Sequence, residues 1–127
     1  MSVSLTMPIL IVDDYNTMIR ILRNLLRQLG FTNIDEASDG RTALAKMQSK
    51  TYALVISDWS MASMSGLELL KHVRANERTA ETPFVMMAND NEDGAVAETR
   101  AGANSYLVKP FTAQALKERL MPVIGAF

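Results

Sequence analysis

Short apolar runs alternate with longer stretches of helical periodicity five times along this chain, and that alternation restricts it to a sheet of parallel strands joined by crossover helices. The runs are Ile9–Val12, Asn33–Ala37, Ala53–Ser57, Phe84–Met87 and Ser105–Val108. The first, third, fourth and fifth are apolar nearly throughout, as strands covered by helices on both faces must be. The second is more polar and is expected at an edge of the sheet.

Between the runs the first helix has the clearest period. Met18, Leu22, Leu25 and Leu29 form one stripe with Ile21 and Leu26 beside it, while Arg20, Arg23 and Arg27 fall largely outside, and Gly30 stops the helix. Further helices are expected over Arg41–Gln48, Gly66–Asn76, Asn91–Ala101 and Thr112–Met121. Ser65 and Glu68 have the spacing of a capping box, which fixes the start of the helix after the third strand. Five strands and five helices favour the flavodoxin-like (βα)5 fold, an α/β architecture with strand order 2-1-3-4-5 and helices on both faces.

Length and composition narrow the function. The 127 residues make one ordinary domain, expected to span 1–127 with nothing left over for an output module, so any effect is exerted by binding something else. There is no cysteine, which excludes disulfides and thiolate metal sites. With 13 basic and 14 acidic side chains, the chain has no general electrostatic reason to bind nucleic acid or an anionic membrane. No apolar run reaches the roughly 20 residues needed to span a bilayer, and the first seven residues lack the basic region of a signal peptide. The expected location is cytoplasmic.

Charged groups punctuate the strand ends. Asp13-Asp14 follows the first run, Asp58 ends the third, and Lys109, followed by Pro110, ends the fifth. In an open parallel sheet, ligands bind beyond the carboxyl ends of the strands where the order reverses, and order 2-1-3-4-5 makes the first and third strands neighbours. Three carboxylates so close repel one another and call for a cation. Hard oxygen donors in small number suit magnesium, which keeps several waters and completes its shell with phosphate.

Taken in order, Asp13-Asp14-Tyr15-Asn16-Thr17-Met18, Arg23-Asn24-Leu25-Leu26, Val55-Ile56-Ser57-Asp58-Trp59, Gly66-Leu67-Glu68-Leu69-Leu70 and Val108-Lys109-Pro110-Phe111-Thr112-Ala113 resemble the receiver domain of two-component response regulators, specifically its chemotaxis type. The resemblance covers essentially the whole chain. It implies that Asp58 accepts a phosphoryl group from a phosphohistidine on a partner kinase. It also implies that Asp14 and Asp58 bind Mg2+ directly, that the backbone carbonyl of Ser60 is a third ligand, and that Asp13 acts mainly through water. Lys109, after a cis Lys109-Pro110 bond, would pair with the phosphoryl group. The implied partners are a chemotaxis-type histidine kinase and a flagellar motor switch protein or another protein target, met by a monomer.

The sequence departs from the family at the switch. Where the pattern has Ser or Thr at the end of the fourth strand, Ala88 stands, and its methyl cannot donate a hydrogen bond. That hydroxyl is what couples phosphate to the aromatic residue of the fifth strand, here Tyr106, so coupling by that route is expected to be weak. Asn89 replaces a small residue, with its amide either supplying a substitute donor or narrowing access. Ala62 replaces the usual Pro and Ser65 the frequent Asp, changes expected to loosen the loop beyond Asp58 without removing a metal ligand and with no functional role of their own. The stretch Asp90, Asn91, Glu92 and Asp93, with three carboxylates, suits a helix start. Two readings follow: a phosphorylation-dependent signalling module, or an adaptor or phosphate sink whose output face ignores the acceptor. A magnesium phosphohydrolase shares the carboxylate chemistry but needs a substrate pocket and usually a cap, for which the chain has no room.

Overall fold

The computed structural model describes residues 4–89 and 102–127. Five parallel strands, β1 (Ile9–Val12), β2 (Ile34–Ala37), β3 (Leu54–Asp58), β4 (Phe84–Asn89) and β5 (Ser105–Lys109), form one sheet in the order β2-β1-β3-β4-β5. Among the described residues four helices cover it: α1 (Asn16–Gln28), α2 (Gly40–Ser49), α3 (Gly66–Ala75) and α4 (Ala113–Ile124). The helix expected over residues 91–101, with its acidic start, lies outside the described residues.

Side chains on a strand point alternately to opposite faces, and the two cores follow that period. Ile9, Ile11, Ile56, Val85, Met87 and Leu107 face α1 and α4, meeting Ile19, Leu22, Leu26, Leu116 and Leu120. Leu10, Val12, Val55, Phe84 and Met86 face the other way, onto Ala43 and Met47 of α2 and Leu69, Leu70 and Val73 of α3. A run that is apolar at every position, such as β1, is thereby buried at every position, and β3 is buried throughout as well, including its polar end, Ser57 and Asp58.

Three expectations need correction. In α1 the buried line is Ile19, Leu22 and Leu26; Met18, Leu25 and Leu29 pack at its border and Ile21 is exposed, because the helix presents a face centred one position away from the expected stripe. The fifth run is apolar but only Leu107 of β5 is buried, because the strand lies at the sheet's other edge. Helix α4 begins after the N-cap Thr112 and runs to Ile124, past Pro122, whose missing N–H falls in the last turn. The capping box at Ser65 and Glu68 is present, and Gly30, at φ 108°, ends α1 in a conformation that favours glycine.

Candidate phosphoacceptor and metal site

Strand register builds the site. Ile11 pairs with Ile56 and Val12 with Ser57, so the residues next in each chain, Asp13 and Asp58, leave the sheet side by side. On the far side Asp58 pairs with Met87, Met87 with Leu107 and Asn89 with Lys109. Lys109 therefore stands two residues beyond the level of Asp58, and its long side chain spans the gap.

The result is a compact charge cluster. Asp13, Asp14 and Asp58 each offer a carboxylate oxygen, and these lie within 4.8 Å of one another. Lys109 Nζ donates to Asp58 Oδ1 at 2.7 Å and lies 3.5 Å from Asp13 Oδ2. Asp13 and Asp58 are buried whereas Asp14 is exposed, so the cluster has a wall of fixed charge and one ligand facing solvent. The Lys109-Pro110 bond is cis.

The electrostatics follow from burial. Loss of water pushes the Asp13 carboxyl above its usual value, and the Asp14 charge adds to this, against the Tyr15 N–H at 3.0 Å and the charge of Lys109, which pull it down. For Lys109, burial disfavours the ammonium, but the hydrogen bond to Asp58 and the charges of Asp13 and Asp58 outweigh it and hold the pKa above the lysine norm. One acceptor is left over. Asp13 Oδ2 is buried and ion-paired with Lys109, but among the described residues it accepts no hydrogen bond, which is unusual for a buried oxygen and leaves room for a ligand. Three hard oxygen donors around such an orphan fit a small divalent cation, and of the common ones magnesium matches best.

The remaining expected residues are placed as follows. Ser60 is exposed on the loop after β3, where it borders a hollow of about 150 Å³ with Trp59, Met61, Ser65 and Leu67. Ala88 is buried in β4 opposite Val108, on the same sheet face as Tyr106, which pairs with Met86. Tyr106 is half-buried, and the Arg119 guanidinium lies 4.8 Å from its ring centre. Asn89 ends β4 opposite Lys109. His72, on α3, is exposed and stands apart from the acidic cluster.

Sequence reasoning missed the backbone donors. Ala62 does not simply loosen its loop: its N–H donates to Asp14 Oδ2 at 3.0 Å. Ser65 caps α3, as its spacing from Glu68 predicts. The only signal for the first contact is that residue 62 is not proline, since a proline there has no N–H to give.

A parallel sheet in this order, with an acidic triad and a lysine at its carboxyl edge, is the construction of a receiver domain. The chain belongs to the response regulator receiver domain family, whose pattern matches residues 9–121. Within that family it is of the chemotaxis type. It is 50% identical over 115 residues to the chemotaxis protein CheY of Pseudomonas aeruginosa, covering 90% of this chain and 93% of that one. It is 48% identical over 115 residues to CheY-3 of Vibrio cholerae, covering 90% and 88%. Among solved structures, CheY4 of Vibrio cholerae superposes with a TM-score of 0.85 at 34% identity, covering 93% of this chain and 98% of that one. The receiver domain of a sensor histidine kinase from Pseudomonas aeruginosa, with a magnesium ion coordinated in its active-site cleft, superposes with a TM-score of 0.85 at 25% identity, covering 95% and 99%. The protein is thus a two-component signalling domain rather than a conventional enzyme.

Proposed function

We propose that this chain, as a single receiver domain acting as a cytoplasmic monomer, takes a phosphoryl group onto Asp58 from a chemotaxis-type histidine kinase and signals by binding a protein target, a flagellar motor switch component first among them. The observation that carries this is the convergence of Asp13, Asp14 and Asp58 within 4.8 Å, with Lys109 Nζ 2.7 Å from Asp58. In the transfer, an Asp58 carboxylate oxygen bonds to phosphorus as the phosphorus–nitrogen bond of the phosphohistidine breaks, and the imidazole leaves with the electron pair. Later attack by water on phosphorus returns the carboxylate and inorganic phosphate.

Positioning and charge neutralisation are the main demands of phosphoryl transfer. Asp14 and Asp58, with the Ser60 carbonyl, would hold Mg2+ directly, and Asp13 would act through water. The bound ion supplies positive charge to the oxygens of the transferred group. Lys109 supplies the second cation, and its shift from Asp58 Oδ1 to a phosphoryl oxygen keeps it paired throughout. Incubation with a phosphorylated chemotaxis kinase, or with acetyl phosphate and magnesium, is expected to label the chain. Asp58→Ala abolishes the label. No labelling of the parent chain by either donor would overturn the reading.

A second reading is favoured by Ala88, whose methyl is buried and, by the family pattern, replaces a hydroxyl that would donate to the phosphoryl group. Losing a hydrogen bond to a charged group removes about 1.5 to 3 kcal/mol. On this reading Asp58 takes up phosphate, but Tyr106 and the target-binding face do not respond, unless the Asn89 amide serves as the donor. Equal target affinity with and without beryllofluoride identifies such an adaptor or phosphate sink, since a ligand shifts an equilibrium only by its differential affinity. Restoration of a response by Ala88→Thr then locates the missing link.

A further inference from the structure

One contact joins the charge cluster to the loop beyond it. Asp13 is fixed from three sides, by its own N–H on Ala37 O at 3.2 Å, by the Tyr15 N–H at 3.0 Å and by Lys109 at 3.5 Å. Asp58 ends a buried strand and is gripped by Lys109. Asp14 has neither advantage: it is exposed, lies beyond the strand, and takes its orientation from the Ala62 N–H at 3.0 Å.

The same bond seats the loop. At one end Trp59 N donates to Met87 O at 2.7 Å and Trp59 O accepts from Gly66 N at 2.9 Å; at the other, Ser65 caps α3. Ala62 is midway between these anchors, and its link to Asp14 draws the middle of the loop against the acidic cluster. Ser60, two residues earlier, is carried with it.

We propose that the Ala62 N–H is a positioning group of the metal site, holding the Asp14 carboxylate toward Asp13 and Asp58 while it seats the loop bearing the Ser60 carbonyl. This rests on reading the cluster as a magnesium site. Groups that orient a metal ligand through its second oxygen typically change metal affinity by about 10- to 100-fold when removed. Because this contact is exposed, the effect belongs at the lower end, about tenfold.

The test is a Mg2+ titration of the full chain followed by the fluorescence of Trp59, its only tryptophan and the neighbour of Asp58. Ala62→Pro, which deletes the N–H, is expected to bind Mg2+ about tenfold more weakly. Ala62→Gly keeps the donor and is expected to stay within about twofold of the parent. In an Asp14→Ala background, Ala62→Pro is expected to add nothing. An unchanged affinity for Ala62→Pro, or an equal loss in both backgrounds, overturns the proposal. Amide exchange offers a route that does not depend on the proline variant folding: without metal, the Ala62 amide is expected to exchange at least about tenfold faster in Asp14→Ala than in the parent. Equal exchange overturns the proposal as well. If the parent chain shows no saturable response to Mg2+, the metal reading fails, while the exchange rates still report on the contact itself.

Discussion

Two glycines at helix starts make the sharpest test of how the fold places Asp58. A Cβ added at Gly66 would lie 2.2 Å from the Asp58 carbonyl oxygen, 2.8 Å from Met86 Sδ and 2.9 Å from Trp59 Cα. Two of those three atoms are backbone, and the backbone is pinned: Trp59 N is bonded to Met87 O at 2.7 Å and Gly66 N to Trp59 O at 2.9 Å. A Cβ at Gly40 would meet only the side chain of Met64, at 2.5, 3.0 and 3.0 Å. Met64 is half-buried and flexible, so it can turn aside.

Alanine at the first position of a helix is worth about 0.5 kcal/mol over glycine through reduced chain entropy. Overpacking against a fixed neighbour costs about 3 kcal/mol, the upper end for an inserted methyl. Gly66→Ala is therefore expected to destabilise by about 2.5 kcal/mol, or a fall in Tm of about 10 °C for a domain of this size. Gly40→Ala is expected to lie within about 0.5 kcal/mol of the parent. Urea unfolding monitored by Trp59 fluorescence measures both. Because the displaced carbonyl belongs to Asp58, Gly66→Ala is also expected to slow labelling by acetyl phosphate, and Gly40→Ala is not. If Gly66→Ala is as stable as Gly40→Ala, the close approach of α3 to the end of β3 does not hold the acceptor.

Lys109→Met strips the lysine from two buried carboxylates, and is expected to cost about 3 kcal/mol without metal; urea titrations should show the deficit narrowing as magnesium is added, and an undiminished deficit would refute the charge argument. Asp35, hydrogen-bonded by the Tyr52 hydroxyl at 2.6 Å and Lys50 at 3.0 Å, has its pKa held below the usual carboxylate value, first by Tyr52 and then by Lys50. Such a group contributes stability above its unfolded value, near pH 4, and loses it as pH falls through the lower folded value. Thermal melts are therefore expected to show Asp35→Asn below the parent at pH 7, with the gap closing in acid; a gap that widens in acid would have the wrong sign. Half-buried Arg74 spans four acceptors, Gly102 O at 3.0 Å, Ala80 O at 3.1 Å, Thr82 O at 2.6 Å and Asn104 Oδ1 at 3.0 Å, fixing the segments that lead into β4 and β5. Arg74→Met is expected to lower stability by about 3 kcal/mol in urea unfolding, since each bond to a charged group is worth about 1.5 kcal/mol or more.

What could be read from the chain depended on whether a pattern or a distance carried the information. The continuous apolar runs of β1 and β3 and the polar second strand followed from which faces each strand must bury, and sheet order then followed from connection rules. Asp13, Asp14 and Asp58 were legible because strand ends are readable and the first and third strands are neighbours. The stripe of α1 was drawn one position off because leucines at 22, 25, 26 and 29 satisfy two adjacent faces, and only packing against the sheet chooses between them. Partial burial of β5 was missed because an apolar run looks alike at an edge and in the middle. The Ala62 contact left almost no trace, since a backbone N–H is present at every residue except proline.

Acceptance of phosphate and its transmission are built from different parts of this sheet. The groups proposed to take the phosphoryl charge stand at the exits of β1, β3 and β5, and their convergence follows from the strand register. On the proposed reading, transmission depends on the face of β4 and β5 where Ala88 and Tyr106 lie together, and there Ala88 offers no donor while Arg119 sits over the Tyr106 ring. A cation over an aromatic face contributes about 0.5 to 1 kcal/mol at a partly exposed position. That interaction biases the ring through α4. The conformation of Tyr106 thus has a determinant independent of the acceptor, so a chain that accepts phosphate normally can still keep one output face.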